Sequence, residues 1–346
     1  MVQFNLLILV FSLSRTQHVQ AMVVEKPFCQ VTRRGAVCAI SSGLLIGGNV
    51  VADADGGKDD LLMPPAQPMP FAGMGATLRP VIVEQTDSPW NCPPLSSKLG
   101  QSRISTQELS PLVTALSPFA DTDVYYPSIF AGDWNVKATM RRKTYPYGLS
   151  FIPSKSLIEG SPRYRSENVN DVTDYVSRFF SFDGKPVTSK SKIIADRRFN
   201  SISASRAYNQ LTPVQSVIWD PRKDPTQIKL EFAPGMITED LMPLGPRRAE
   251  VYINARKKEE MGTDIFSASE RTRQVTLGAG IVIVSDTETI TEYKILDESN
   301  IRAVQRIAVY LTPNPNSREG ILWQQVGGKS VAFFDYDLEM QKVNDT

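Results

Sequence analysis

The chain has one histidine, His18, and three cysteines, Cys29, Cys38 and Cys92, in 346 residues. All but Cys92 lie in the first 54 residues, which read as two export signals in series. Residues 6–13 are a short apolar run, and Val19-Gln20-Ala21 places small residues before a cut. A second unit begins at Thr32-Arg33-Arg34, continues through the mild stretch Gly35–Val51 and ends at Ala52-Asp53-Ala54, a twin-arginine layout. Removal of both leaves a body with no imidazole and one thiol. That excludes Ser-His-Asp and Cys-His catalysis, zinc sites built from imidazoles or several thiolates, an internal disulfide and histidine acid–base work near neutral pH. Cys92, in the proline-flanked loop Trp90-Asn91-Cys92-Pro93-Pro94, is read as incidental.

Long apolar runs are also lacking. Residues 6–13 are too short to span a bilayer, and Gly35, Gly43, Gly47 and Gly48 loosen the second run. A protein that is not integral to the membrane once processed is expected; the alternative is retention on the membrane by residues 35–51. Charge of one sign is lacking too. A cut after Ala54 leaves 34 Lys and Arg against 35 Asp and Glu. The basic footprint of a nucleic-acid binder is missing, so no nucleic-acid partner is expected. Arg141-Arg142-Lys143, Arg247-Arg248 and Arg256-Lys257-Lys258 have acids nearby and read as solvated faces.

Two signals in series suit passage through an outer envelope, a plastid interior and a thylakoid membrane. The segments are then a secretory signal over 1–21, a plastid-entry segment over 22–31 and a thylakoid signal over 32–54, with Arg33, Arg34, Ala52 and Ala54 as the targeting residues. Their order resembles that of lumen proteins in algae whose plastids derive from an engulfed alga, which implies a thylakoid-lumen address.

What is present begins with proline. Residues 55–127 hold 11 of the 24 prolines and read as a linker or extended wrap, because such a stretch makes no regular core. One short helix is expected over Pro111–Leu116, with Ser110 as N-cap. From 128 to 343 the pattern changes to alternation. Trp134, Val136, Ala138 and Met140 share one face. So do Ile228, Leu230 and Phe232; Ala249, Val251, Ile253 and Ala255; Ile301, Ala303, Ile307, Val309 and Leu311, interrupted by Gln305; and Ala332, Phe334, Tyr336, Leu338 and Met340. Period two marks half-buried antiparallel strands, and several in one chain predict a sandwich or closed barrel. Helices are expected over 196–208 and, from the capping-box pattern Ser267-Ala268-Ser269-Glu270, over 268–276. Gly278-Ala279-Gly280 precedes a strand rather than opening a helix, so it is no dinucleotide fingerprint.

Gly132-Asp133-Trp134 opens the first convincing strand. G-x-W after a coil resembles the first strand of lipocalin-like barrels, where glycine lets the chain turn in and tryptophan plugs the closed end. The resulting expectation is a mainly β protein: an antiparallel lipocalin- or calycin-like barrel with two or three short helices, after a cleaved leader and a Pro-rich arm. A barrel of this size can hold one small ligand. The candidate lining is Trp134, Val136, Met140, Ile253, Tyr293, Phe334 and Tyr336. Glu288 with Glu292, and Asp335 with Asp337 and Glu339, are carboxylate groups on strands. An acid–base pair or a calcium site is the sharp reading; alternation with the apolar face favours plain solvent exposure. No catalytic residue, metal or cofactor is assigned.

Five blocks carry a further likeness: Tyr126-Pro127-Ser128, Gly132-Asp133-Trp134, Ala195–Asn200, Asn300–Pro313 and Lys329–Leu338. Together they are similar to a domain-of-unknown-function family, number 6816, found in cyanobacteria and plastids, over roughly residues 93–343. The resemblance implies a plastid location and a single β-rich domain, and it implies no reaction. Gly328-Lys329-Ser330, where a proline was expected before the last strand, is a small departure.

The function expected is non-catalytic binding of an apolar small molecule, a pigment, lipid or quinone, inside a barrel in the thylakoid lumen. The alternative is an assembly or maintenance factor for a photosynthetic membrane complex, acting through protein contacts of the arm. An enzyme is the third reading. Lipocalin-like lumenal enzymes acting on carotenoids form a family, but the cysteine-rich region expected of them is missing.

Overall fold

The computed structural model describes residues 81–85, 94–113, 123–152, 167–208, 213–234, 246–278, 282–315 and 317–343. Along the chain these form β1 (Val81–Gln85), α1 (Lys98–Arg103), β2 (Gly132–Tyr145), β3 (Val172–Ser181), β4 (Ile193–Ala195), α2 (Arg197–Tyr208) and β5 (Val214–Asp220). They continue with β6 (Asp224–Phe232), β7 (Pro246–Met261), β8 (Ile265–Gly278), β9 (Val282–Ile295), β10 (Asn300–Tyr310), α3 (Arg318–Gln325) and β11 (Ser330–Lys342). Every strand pairing is antiparallel.

The strands follow the order β4-β3-β2-β11-β10-β9-β8-β7-β6-β5, with β1 paired to β2 beside β3. Neighbours in sequence are neighbours in the sheet, except for β4 and β5, which form its two edges; β11 returns to pair with β2. The result is a mainly β, curled half-barrel, consistent with a lipocalin-like barrel. The ladder stays open between β4 and β5, and α2 spans the gap. A strand edge leaves backbone N–H groups without partners, which is costly when buried. Serines of α2 answer this: Ser203 Oγ accepts from Val176 N of β3 at 3.0 Å, and Ser205 Oγ accepts from Val214 N of β5 at 2.8 Å. Asn200 adds an acceptor for Arg178 N at 2.7 Å.

Cross-strand partners share a face of the sheet. The inner face carries Trp134, Val136, Ala138 and Met140 of β2, Phe266 and Ala268 of β8, Tyr293 of β9, and Ala332, Phe334, Tyr336, Leu338 and Met340 of β11, all in one buried cluster. A second cluster joins Val214, Trp219, Ile228, Leu230, Phe232, Ala249, Val251 and Ile253 of β5–β7 to Ile194 of β4. The two ends of the half-barrel differ. At one end the links 221–223, 262–264 and 296–299 are tight turns, with 182–192 somewhat longer. At the other lie the long links 146–171, 233–245 and 311–329, with 279–281 short.

Three local expectations are corrected. Residues 268–276 belong to strand β8. The capping-box types are present, yet Ser267 and Ser269 point to one face, Ala268 and Glu270 to the other, and β-branched Thr272, Val275 and Thr276 fit the pleat. Pro111–Val113 are not helical, and the rest of the expected 111–116 helix lies outside the described residues. The arm's helix is α1, capped by Ser97, whose Oγ accepts from Gly100 N at 2.8 Å. Finally, the pairing of β7 with β8 slips between Ile253 and Ala255. That bulge takes Ala255 off the face of Ile253 and turns Arg256 inward, opposite Glu270. The helix expected over 196–208 matches α2, where Asp196 Oδ1 accepts from Phe199 N at 3.0 Å.

Candidate functional site

The tight-turn end is plugged by rings. Residues 123–131 enter here, and Tyr126 and Phe130 stand among Trp134, Phe179, Phe266 and Tyr293, with Phe130 centroids 5.2 Å from Tyr293 and 5.4 Å from Phe179. Gly132 has φ +111°, a conformation that glycine alone adopts without strain. It bends the chain so that Trp134 Nε1 donates to the Phe130 carbonyl at 2.7 Å. Lys342 of β11 lies over the indole, 5.5 Å from its centroid, and donates to the Ile129 carbonyl at 3.4 Å. Trp134, Val136 and Tyr293, three of the seven candidate lining residues, sit in this packed region.

Beside the plug is a buried charge cluster that the sequence reading missed. Arg197, at the start of α2, is 1% exposed and pairs with Asp123 and with Glu270 Oε1, the latter at 2.9 Å. Arg256 approaches the same Glu270 oxygen at 3.3 Å. Burial opposes the Arg197 charge, but the charges of Asp123 and Glu270 more than offset it and hold the guanidinium above its usual value. The cluster ties the entering segment, α2, β7 and β8 together with balanced charge.

The long-loop half is lined differently. Met140, Phe334 and Tyr336 face inward here, and Ile253 stands across the interior in the second cluster. Between them β8 and β9 present a polar stripe: Thr272 pairs with Thr287, Gln274 with Ser285 and Glu270 with Thr289. The Thr272 and Thr287 hydroxyls are 3.0 Å apart, and Gln274 Nε2 donates to Thr276 at 2.8 Å. Small residues, Ala249, Val309 and Ala332, complete this wall. Tyr336 donates to Glu167 Oε2 at 2.7 Å, and the Tyr175 and Tyr208 rings stand 6.2 Å apart. Burial, with Glu167 nearby, pushes the Tyr175 and Tyr336 phenols well above their usual value.

A family profile, "Domain of unknown function (DUF6816)", matches residues 118–344, well over half of the chain. The chain belongs to the DUF6816 family. No curated protein and no solved structure matches it. The matched region opens just before the ring plug and closes just after β11. The strap described next, residues 94–113, precedes it.

On the outer face of the DUF6816 domain the carboxylates are neither exposed nor gathered. Glu288 and Asp335 are 0% exposed, Glu292 and Asp337 7%; of the five, Glu339 is exposed. Plain solvent exposure is therefore corrected: the arm covers Glu288 and Glu292, and arginines of the neighbouring strands pair with Asp335 and Asp337. Glu292 accepts from Ser96 N at 2.5 Å, Ser97 N at 3.0 Å and Ser97 Oγ at 2.5 Å. Glu288 is forked by Arg103 and also accepts from Ser269 Oγ at 2.7 Å and Tyr310 OH at 2.9 Å. Glu259 takes Leu99 N at 2.8 Å, so two carboxylates meet the positive end of α1. Asp335 is held by Arg142 and Arg306, and Asp337 by Arg141 at 2.6 Å. Arg141-Arg142-Lys143 is thus no solvated face; Lys143 is itself buried. Ile104 and Leu109 of the strap pack on Ile290, Val304, Ala308, Tyr310 and Phe333.

Among the described residues no group of three or more His, Cys, Asp or Glu is arranged to hold a metal, and no helix is long and apolar enough to cross a membrane. Arg33, Arg34, Ala52, Ala54 and Cys92 lie outside the described residues.

Proposed function

We propose that this DUF6816 protein is a non-catalytic binder of an apolar small molecule, taken into the long-loop half of the half-barrel. The observation that carries the reading is the asymmetry of the inner wall. Six aromatic rings pack together in the tight-turn half, whereas the other half sets threonines, alanines and valines between Met140, Phe334 and Tyr336. A concave, mostly apolar wall with a few convergent polar groups is the usual form of a small-molecule site. Of the seven candidate residues, Met140, Ile253, Phe334 and Tyr336 serve this half, and the other three hold the plug. A thylakoid-lumen address rests on the leader segments, and pigments, lipids and quinones are the apolar compounds that suit it. The alternative, assembly or maintenance of a photosynthetic membrane complex through the arm, is weakened because residues 94–113 are committed to the domain's own outer face.

The test is titration with Nile red, a neutral apolar dye. A saturable blue shift at one dye per chain is expected, lost in Thr287→Trp, which fills the loop half, and kept in Val176→Trp, which adds bulk to the outer face. Unsaturable uptake, or uptake indifferent to Thr287→Trp, contradicts the reading.

A further inference from the structure

The rim at the long-loop end carries apolar side chains that face solvent. Leu149, in the link after β2, Ile321, on α3, and Val282 and Val284, where β9 begins, are between 38% and 64% exposed. The strands concerned lie side by side in the order β2-β11-β10-β9-β8, so these residues share one rim. β9 runs past its last pairing with β10, Asp286 with Tyr310, so Val282 and Val284 stand at the projecting tip of the β8–β9 hairpin. Trp323 of α3 and Phe151 pack on one small cluster, which fixes α3 beside residues 149–151.

Charge differs between the two ends of these strands. At the rim Arg318 is exposed and has no acidic partner among the described residues; it donates to the Ser150 carbonyl at 3.5 Å. Arg271 and Arg273 share the single carboxylate of Asp286, two residues from Val284 on the same face. Glu319 is turned back to Thr312 N at 2.7 Å, and Lys329 is paired with Glu108. At the opposite end the links 262–264 and 296–299 carry Asp264, Asp297 and Glu298 and no lysine or arginine.

We infer that this rim docks the protein on an anionic lipid bilayer, with Leu149, Ile321, Val282 and Val284 entering the boundary between headgroups and acyl chains. Exposed aliphatic side chains beside a tryptophan and free arginines suit that boundary. A negative surface attracts the basic end and turns the acidic end away. The choice of a bilayer over a protein partner rests on the binding reading above: an apolar guest dissolves in bilayers, and a docked rim lets it reach the long-loop half without crossing water.

The experiment is flotation of the chain without residues 1–54, its cooperative urea transition checked first, with vesicles of phosphatidylcholine alone or mixed with phosphatidylglycerol. Flotation with the mixed vesicles is expected, and weaker flotation with phosphatidylcholine alone. Ile321→Glu and Leu149→Glu should each weaken partitioning to mixed vesicles at least about tenfold, because an aliphatic anchor is lost and a negative charge added. Arg318→Gln should weaken it about fivefold, and on mixed vesicles only. Leu296→Glu, an exposed apolar position at the opposite end, should leave it unchanged. No flotation, or an equal loss in Ile321→Glu and Leu296→Glu, overturns the docking; Nile red uptake by the unsubstituted protein then leaves the binding reading standing. Flotation with the expected losses but no Nile red uptake supports the docking and overturns the binding reading alone.

Discussion

Glycine 100 offers a test in which two effects predict opposite signs. It lies inside α1, where replacing glycine by alanine ordinarily stabilises a protein by about 0.5–1 kcal/mol. Here the new methyl would overlap the Glu292 carboxylate oxygen and sit 2.9 Å from Ser97 Oγ and 3.1 Å from Glu292 Cδ. Those atoms cannot yield cheaply, because Glu292 is buried and already accepts three hydrogen bonds from Ser96 and Ser97. Overpacking of a tight contact costs about 1–3 kcal/mol, and displacing the strap also weakens charge-assisted bonds worth roughly 1.5–3 kcal/mol each. Gly100→Ala should therefore destabilise by about 1–3 kcal/mol net, a fall of roughly 3–10 °C in Tm for a body of this size. Gln101→Ala, on the exposed side of the same helix, should be neutral or slightly stabilising. Urea unfolding gives the sign, and amide hydrogen exchange over 96–112 shows whether the strap itself has loosened. A gain in stability for Gly100→Ala, with unchanged protection over 96–112, would refute the docking of the strap on Glu292.

Arg197→Met leaves Asp123 and Glu270 buried with Arg256 as the nearby cation, and should cost about 3–5 kcal/mol in chemical denaturation; a cost under about 1 kcal/mol would show that the cluster is not buried as described. Gly132→Ala forces a side chain into φ +111° and should lose about 1–3 kcal/mol, with a changed tryptophan emission as Trp134 shifts; an unaltered Tm and spectrum would contradict the bend. Burial raises the phenol pKa values of Tyr175, Tyr293 and Tyr336 above the unfolded value of about 10. The native state then keeps protons that the unfolded chain has lost, so their contribution is fully present below about pH 10 and declines as pH rises beyond it. Alkaline titration should show tyrosinate absorbance from these three appearing together with loss of near-UV dichroism, and reversible ionisation of every tyrosine near pH 10 in the folded protein would count against it.

Much of the architecture was legible because period-two alternation survives in strands that bury one face. The inner residues of β2, β10 and β11 were readable in this way, and so was the turn-and-plug role of Gly132 and Trp134. The β8 helix was a misreading of residue types: a serine three residues before a glutamate satisfies a capping pattern, yet Ser267 faces Glu292 and Glu270 faces Arg197. The faces of Glu288, Glu292, Asp335 and Asp337 were assigned correctly, but not their burial. For Glu288 and Glu292 that depends on residues 94–113 folding back across nearly 200 positions, and for Asp335 and Asp337 on arginines of the neighbouring strands, which no local pattern announces. The threonine stripe was hidden by the same helical misreading. In the tyrosine cluster, alternation marked Tyr336, and β3 offers the same signal for Tyr175 through Ser177 and Phe179. Tyr208 and Glu167 join only because α2 and the residues just before β3 pack against the sheet, which is tertiary information.

The most direct measurement is non-denaturing mass spectrometry of the protein purified from its own cells, from isolated thylakoid lumen. The account predicts a polypeptide lacking residues 1–54 that carries one apolar small molecule, released on denaturation. A bare polypeptide mass, or a chain that still holds residues 1–54, would contradict it.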